Sequence, residues 1–139
     1  MRTNNIVYYL VLILFFLACY SDKEAELKKL IDSILPYPIQ EGTVIVISEY
    51  DCVECLNILQ PRLKKKNTEK EIYGIFYHAK PFYRKEFSDF MKHTSIQWSR
   101  VRDGYLMSLL AKISKKANRP YIVEISDNQI IRIMVSYLI

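Results

Sequence analysis

Apolar positions along this 139-residue chain fall into three kinds of run. The first is unbroken: Ile6 to Ala18 carries neither a charge nor a helix breaker. The second repeats at three- and four-residue spacing, the period of a helix with one buried face. Ala25, Leu27, Leu30, Ile31 and Ile34 predict a helix over 22–35, with Asp22 placed to cap it and Pro36-Tyr37-Pro38 to end it. Leu56, Ile58, Leu59 and Leu63 predict another that begins at Cys52, with Pro61 implying a kink. Phe82, Phe87, Phe90 and Met91 predict a third over 81–91. Leu106, Leu109, Leu110 and Ile113 predict a fourth over 104–117, capped by Asp103. The third kind of run is short and β-branched. Residues 43–48 are apolar almost throughout, as in a strand covered on both faces, and follow a Glu41-Gly42 turn. Residues 71–77, and more weakly 96–101 around Trp98, read as further strands. Residues 121–125 and 130–135 flank Ser126-Asp127-Asn128-Gln129, which predicts a hairpin.

Helix, strand, helix, strand, helix, strand, helix and hairpin is the resulting order. Alternation of helices with strands implies parallel pairing with helices on both faces, and the hairpin adds antiparallel strands at the end. The fold class is therefore α/β: a mixed central sheet covered by helices on both faces, with a C-terminal β-hairpin. No Pro-, Gly- or Ser-rich linker divides it. Half of the residues are apolar, enough for one core at this length. The formal charge of +5 changes little. Lys and Arg are scattered among 15 acidic residues, and the one basic run, Arg62 to Lys66, suits the solvated back of a helix. No nucleic-acid partner is expected, since that would call for a dense basic face.

The N-terminal run is too short to cross a bilayer comfortably, which takes about 20 residues. With Arg2 ahead of it, it has the length of an export signal. Phe16-Leu17-Ala18-Cys19 resembles a bacterial lipoprotein box, although Phe16 stands at the usual Leu position. That resemblance implies a signal peptide over 1–18, cleavage after Ala18 and lipidation of Cys19, with several acyl chains giving a stable membrane anchor. A short uncleaved anchor and an ordinary secretory signal are the alternatives. All three place the globular part outside the cytoplasm, in the cell envelope, with 19–41 as tether and helix and 42–139 as the main domain.

If Cys19 is lipidated, Cys52 and Cys55 remain, an even pair in an exported chain. A bridge across two residues constrains the unfolded chain little, so a structural staple explains it less well than redox use. Cys52-Val53-Glu54-Cys55 also fits half of a zinc site completed by His78 and His93, or a pair that has lost its chemistry. The His spacing matches no known finger, and no metal or other cofactor is expected.

A strand, Cys-x-x-Cys at a helix start, and a proline just before a terminal hairpin together resemble the thioredoxin superfamily. The resemblance is closest to its membrane-tethered extracytoplasmic members of the TlpA and peroxiredoxin-like branch, and covers about 42–139. Cys52 and Cys55 match the redox pair, Pro61 lies near the kink of the family's active-site helix, and Arg119-Pro120 matches the cis-proline turn before a strand. The resemblance implies an exposed attacking thiol at Cys52, a buried resolving thiol at Cys55, and a substrate-binding edge at Arg119 and Pro120. It also implies protein thiols or disulfides as partners, together with a redox partner in the membrane.

Four positions depart from the family pattern. Asp51 precedes the first cysteine where Trp is common, Val53-Glu54 is an unusual intervening pair, and Val46 stands where thioredoxins bury a carboxylate. Asp51 and Glu54 are expected to set negative charge beside Cys52, offsetting the helix end and disfavouring its thiolate. The expectation is therefore a reductant or modest thiol-disulfide exchanger rather than a strong oxidase. Peroxidase activity would want an activating Arg and Thr, which Glu49-Tyr50-Asp51 does not provide. The rival from another class is a non-catalytic, lipid-anchored binding or assembly module on the same scaffold. Tyr50, Tyr77, Trp98 and Tyr121 read as core rather than as a substrate groove.

Overall fold

A computed structural model describes residues 3–19, 22–66, 71–117 and 120–135. The apolar N-terminal run lies in helix α1 (Thr3–Cys19), with Ile6 through Phe15 exposed. Among the described residues no helix is long and apolar enough to cross a membrane. Helix α2 (Lys23–Ile34) is capped as expected: the Asp22 carboxylate accepts from the Glu24 and Ala25 amides at 3.1 and 3.2 Å. The remaining order is β1 (Gly42–Ser48), α3 (Val53–Lys66), β2 (Ile72–Tyr77), α4 (Lys85–His93), β3 (Gln97–Val101), α5 (Tyr105–Ser114), β4 (Tyr121–Ser126) and β5 (Gln129–Val135).

The five strands form one sheet in the order β3-β2-β1-β4-β5. β1, β2 and β3 are parallel, whereas β4 runs antiparallel to β1 and pairs with β5. Chain direction explains the layering. The steps from β1 to β2 and from β2 to β3 move the same way across the sheet, so right-handed crossovers place α3 and α4 on one face. α5 crosses back to the other side of β1 and joins α2 on the opposite face.

Alternation along β1 serves both layers. Ile45 and Ile47 join Leu56, Leu59 and Leu63 of α3 and Phe87 and Phe90 of α4. Val44 and Val46 join Leu27 and Ile31 of α2 and Leu106, Leu109 and Leu110 of α5. Every residue of β1 is buried, as its unbroken apolar run predicts. The architecture is the α/β one expected from the order of elements: a mixed sheet covered by helices on both faces, with a C-terminal hairpin.

Gly74 of β2 lies under the Trp98 indole, where a Cβ would run into the ring. The hairpin turns on Asp127 and Asn128, both left-handed with φ of 50° and 60°, a two-residue loop matched to strand twist. A buried cation fastens this turn to α2. Lys28 Nζ donates to Asp32 Oδ2 at 2.5 Å and to Asn128 Oδ1 at 2.9 Å, while Asp32 Oδ1 accepts from the Ile39 amide.

Two expected helices have different bounds. α4 begins at Lys85 rather than at 81, and Phe82 is 87% exposed. Ahead of it, Glu49 Oε1 accepts from the Ala79 and Lys80 amides at the sheet end. α5 stops at Ser114 instead of 117, because Lys115 takes a left-handed conformation (φ 58°). Its N-cap is Gly104; Asp103, one residue earlier, accepts from the Tyr105 amide at 3.0 Å.

Candidate redox site

β1 ends at the C-terminal edge of the parallel strands, and the chain must turn there to start α3. Ser48 and Asp51 close this turn twice. The Asp51 amide donates to the Ser48 carbonyl at 2.9 Å, and the Ser48 amide donates to Asp51 Oδ2 at 2.7 Å. The Tyr50 amide adds a bond to Ser48 Oγ at 3.2 Å. Glu49 ties the same turn sideways: its amide donates to the Tyr77 carbonyl, and its carboxylate holds Ala79 and Lys80 beyond β2. His78 continues the stitching, since its amide donates to the Val101 carbonyl at the end of β3.

Cys52 therefore leaves a fixed turn and occupies the cap position, just before α3 rather than within it. Its carbonyl accepts the first helical bond from the Leu56 amide, and its Sγ accepts from the Cys55 amide at 3.1 Å. A sulfur at a helix cap receives an N–H that the helix itself cannot satisfy, a setting that favours the thiolate. Cys52 and Cys55 form a disulfide with a Cα–Cα distance of 5.2 Å. Cys52 is exposed and Cys55 half-buried, so one sulfur faces solvent and the other lies toward the domain.

Pro120 immediately precedes β4. Val46 of β1 pairs with Tyr121, and continuing that antiparallel register sets Pro120 level with Ile47, at the same sheet edge as the cysteines. Pro120 is buried. Arg119 lies outside the described residues, and the Arg119–Pro120 bond lies there with it. Cys19 closes α1, far along the chain from this edge.

No family model and no curated protein matches the chain. Among solved structures it is similar to a thioredoxin-like protein from Bacteroides caccae. The identity is 7% over 72% of this chain and 39% of that one, and the TM-score is 0.40. It is also similar to a domain of a possible thiol-disulfide isomerase from Cytophaga hutchinsonii. There the identity is 15% over 73% of each chain, and the TM-score is 0.41. The chain spans well under half of the first protein's length. The fold rests on strand order and the site on its own geometry.

The charge expected beside Cys52 needs correction. Glu54 is exposed, but Asp51 is only 3% exposed, and burial raises its carboxyl to about 7 despite the opposing Ser48 amide bond. Its Oδ1 is buried without a partner. Below neutral pH, Asp51 is thus largely neutral and sets no full charge beside the thiol. Sequence spacing contained the signal: Ser48-x-x-Asp51 straight after a buried strand can fold the carboxylate back onto its own turn.

Among the described residues no three His, Cys, Asp or Glu side chains are grouped to hold a metal ion. His78 is buried against Phe76 and Tyr83 with Nδ1 on the Lys80 carbonyl, while His93 sits on its own helix with Nδ1 near the Asp89 carbonyl. Of the four aromatic residues expected in the core, Tyr121 is fully buried, Tyr77 and Trp98 are half-buried, and Tyr50 is 53% exposed.

Proposed function

We propose that this protein carries out thiol-disulfide exchange through Cys52 and Cys55 outside the cytoplasm, held at a membrane by lipid on Cys19. One observation carries the chemistry: a disulfide closes the first turn of α3, with its exposed sulfur in reach of a helix N–H. In the reduced form the Cys52 thiolate attacks a disulfide in a substrate protein, forming a mixed disulfide and releasing one substrate thiolate. Cys55 loses its proton and attacks Cys52 Sγ, restoring the 52–55 bond and expelling the second substrate sulfur. Two electrons pass to the substrate, and a membrane thiol donor returns them. Protein thiols and disulfides are the partner class, with Arg119 and Pro120 beside the bound segment.

The direction we assign is reductant or modest exchanger. The Cys55 amide and the start of α3 favour the Cys52 thiolate, whereas exposed Glu54, and Asp51 above pH 7, oppose it. With the thiolate only moderately stabilised, the disulfide is not strongly oxidising. Support for the anchor is the apolar run ending in Ala18-Cys19.

Trapping tests the exchange. Cys55→Ser should accumulate mixed disulfides with envelope proteins, while Cys52→Ser should accumulate none and should not reduce insulin. A Cys52→Ser, Cys55→Ser chain with full function in cells would overturn exchange in favour of a binding or assembly module. Incorporation of labelled fatty acid, abolished in Cys19→Ala, tests the anchor.

A further inference from the structure

We propose that the loop joining β2 to α4 selects the substrate: it docks a protein segment in which acidic residues and a large apolar side chain flank the disulfide. The inference deepens the exchange reading above and rests on it. Phe82, in this loop, is the most exposed large apolar side chain among the described residues, at 87%. A loose chain does not explain that exposure, because the loop is pinned on both sides of it. Ahead of Phe82, Glu49 Oε1 accepts from the Ala79 and Lys80 amides, while Arg102 donates to the Ala79 carbonyl at 3.3 Å. Directly after it, the Tyr83 ring packs edge-on against Phe76 at 4.8 Å between centroids, with the Arg100 guanidinium 5.6 Å from its own centroid. Pro81 removes backbone freedom between these anchors. Tyr50, in the turn that Glu49 ties to this loop, is a second exposed ring. The fold thus holds apolar rings out in water, where they gain only by meeting a partner.

The loop stands at the same edge as the cysteine pair. β1 and β2 are neighbours, α3 and α4 pack on one face of the sheet, and both helices open at the edge where Cys52 is exposed. Glu49 belongs to the turn that delivers Cys52 and also binds the loop. A protein chain crossing neighbouring strands, about 5 Å apart, therefore meets both. Charge sets the occupant. Lys80, Lys85 and Arg102 are exposed, and no carboxylate of the described residues meets them at ion-pair distance, whereas Arg84 is paired with Glu86. The acids of this edge offset them only in part. Glu49 is engaged by the loop amides and Asp103 by the Tyr105 amide, Asp51 is buried, and Glu54 on α3 is exposed. Carboxylates on an incoming segment find unpaired cations on either side of Phe82. An anionic lipid surface carries the same charge, but seated on this edge it would cover the exposed Cys52 sulfur. A protein segment instead brings its disulfide to that sulfur.

The two kinds of side chain divide the work. Phe82 supplies affinity, because its loop is already ordered and its ring has nearly all of its area left to bury. The cations act at longer range and speed encounter with acidic segments, an effect that salt screens. Neither group touches the reacting sulfurs. Both therefore set specificity, and their effect falls on the half-saturating concentration of substrate more than on the limiting rate of exchange.

Single-turnover reduction of synthetic peptides by the pre-reduced full-length chain tests this. The peptides share one internal disulfide. In the first, Asp, Glu and Leu flank it; the second has Lys for the acids, and the third has Ser for Leu. The acidic Leu peptide should react at least about tenfold faster than the Lys peptide at low concentration, through a lower half-saturating concentration, and the margin should shrink in high salt. Lys80→Gln combined with Lys85→Gln should cut that margin to about threefold or less. Phe82→Ser should slow the acidic Leu peptide about tenfold and erase its advantage over the Ser peptide. All three side chains are exposed, and matching urea midpoints check that the variants fold. Equal rates for acidic and basic peptides, or margins that survive both variants, overturn the proposal. Binding to phosphatidylglycerol vesicles that depends on Phe82, with no preference among peptides, overturns it in favour of a lipid surface. Fluorescence anisotropy of a labelled, cysteine-free acidic Leu peptide with the disulfide form needs no exchange. Binding that Phe82→Ser abolishes, in a protein that reduces none of the peptides, sustains the docking loop and sinks the exchange reading.

Discussion

Replacing Asp51 with Asn should reverse part of the protein's pH dependence of stability. Burial raises the carboxyl from 3.8 to about 7 in the folded protein. The folded state therefore binds its proton more tightly than the unfolded chain does. Below about pH 4 both states are protonated and the stability from this group is fully present. Between about pH 4 and pH 7 only the folded state holds the proton, so stability falls as pH rises; above that window the contribution is lost. At about 1.36 kcal/mol per pH unit the whole loss is about 4 kcal/mol, of which about 3 kcal/mol falls between pH 5 and pH 8. An Asn side chain keeps an oxygen for the Ser48 amide and never ionises, so the variant lacks this slope. Urea unfolding of both full-length proteins at pH 5, 6, 7 and 8, with the disulfide intact, measures the difference. The Asp51→Asn protein should gain on wild type by about 3 kcal/mol across the series. A difference between the two proteins constant to within about 0.5 kcal/mol would show that the carboxyl ionises freely in the fold, and the reasoning would fail.

Three further outcomes follow from the packing. Gly74→Ala puts a methyl into the Trp98 ring and should cost about 2–3 kcal/mol by urea unfolding, with a shifted indole fluorescence maximum; unchanged fluorescence and stability would mean the ring does not lie over Gly74. Lys28→Met keeps the aliphatic stem but leaves Asp32 and Asn128 facing no cation, at about 1–3 kcal/mol. Coupling with Asp32→Asn in a double-mutant cycle should exceed about 0.5 kcal/mol, and additive losses would refute the pairing. Reducing the 52–55 disulfide should lower stability by no more than about 2 kcal/mol, because the closed loop is so short, and a larger loss measured in dithiothreitol would mark the bond as a staple.

The sheet was legible because its signals are local and redundant. The apolar run of β1, the hairpin signal at 126–129 and the helical period in Leu106, Leu109, Leu110 and Ile113 each point the same way as strand order does. Helix ends were less legible, since they depend on contacts made elsewhere. Phe82 continues the period of Phe87 and Phe90, yet it lies ahead of α4 with its ring exposed. The Lys28 anchor was hidden for the same reason: its second partner, Asn128, is 100 residues away. A lysine at that point of an amphipathic helix reads as solvated until the hairpin turn is folded against it.

Asp51 and Glu54 show how far residue type alone reaches at a redox site. In the sequence both are acids flanking Cys52, and both count against its thiolate. Folding separates them. Glu54 lies on the outside of α3, where water screens its charge, whereas the Ser48–Asp51 turn draws Asp51 inward. Burial that makes the Asp51 charge costly to form also makes it strongly felt once formed, because fewer waters intervene. The same residue is therefore largely neutral below pH 7 and carries its charge above it.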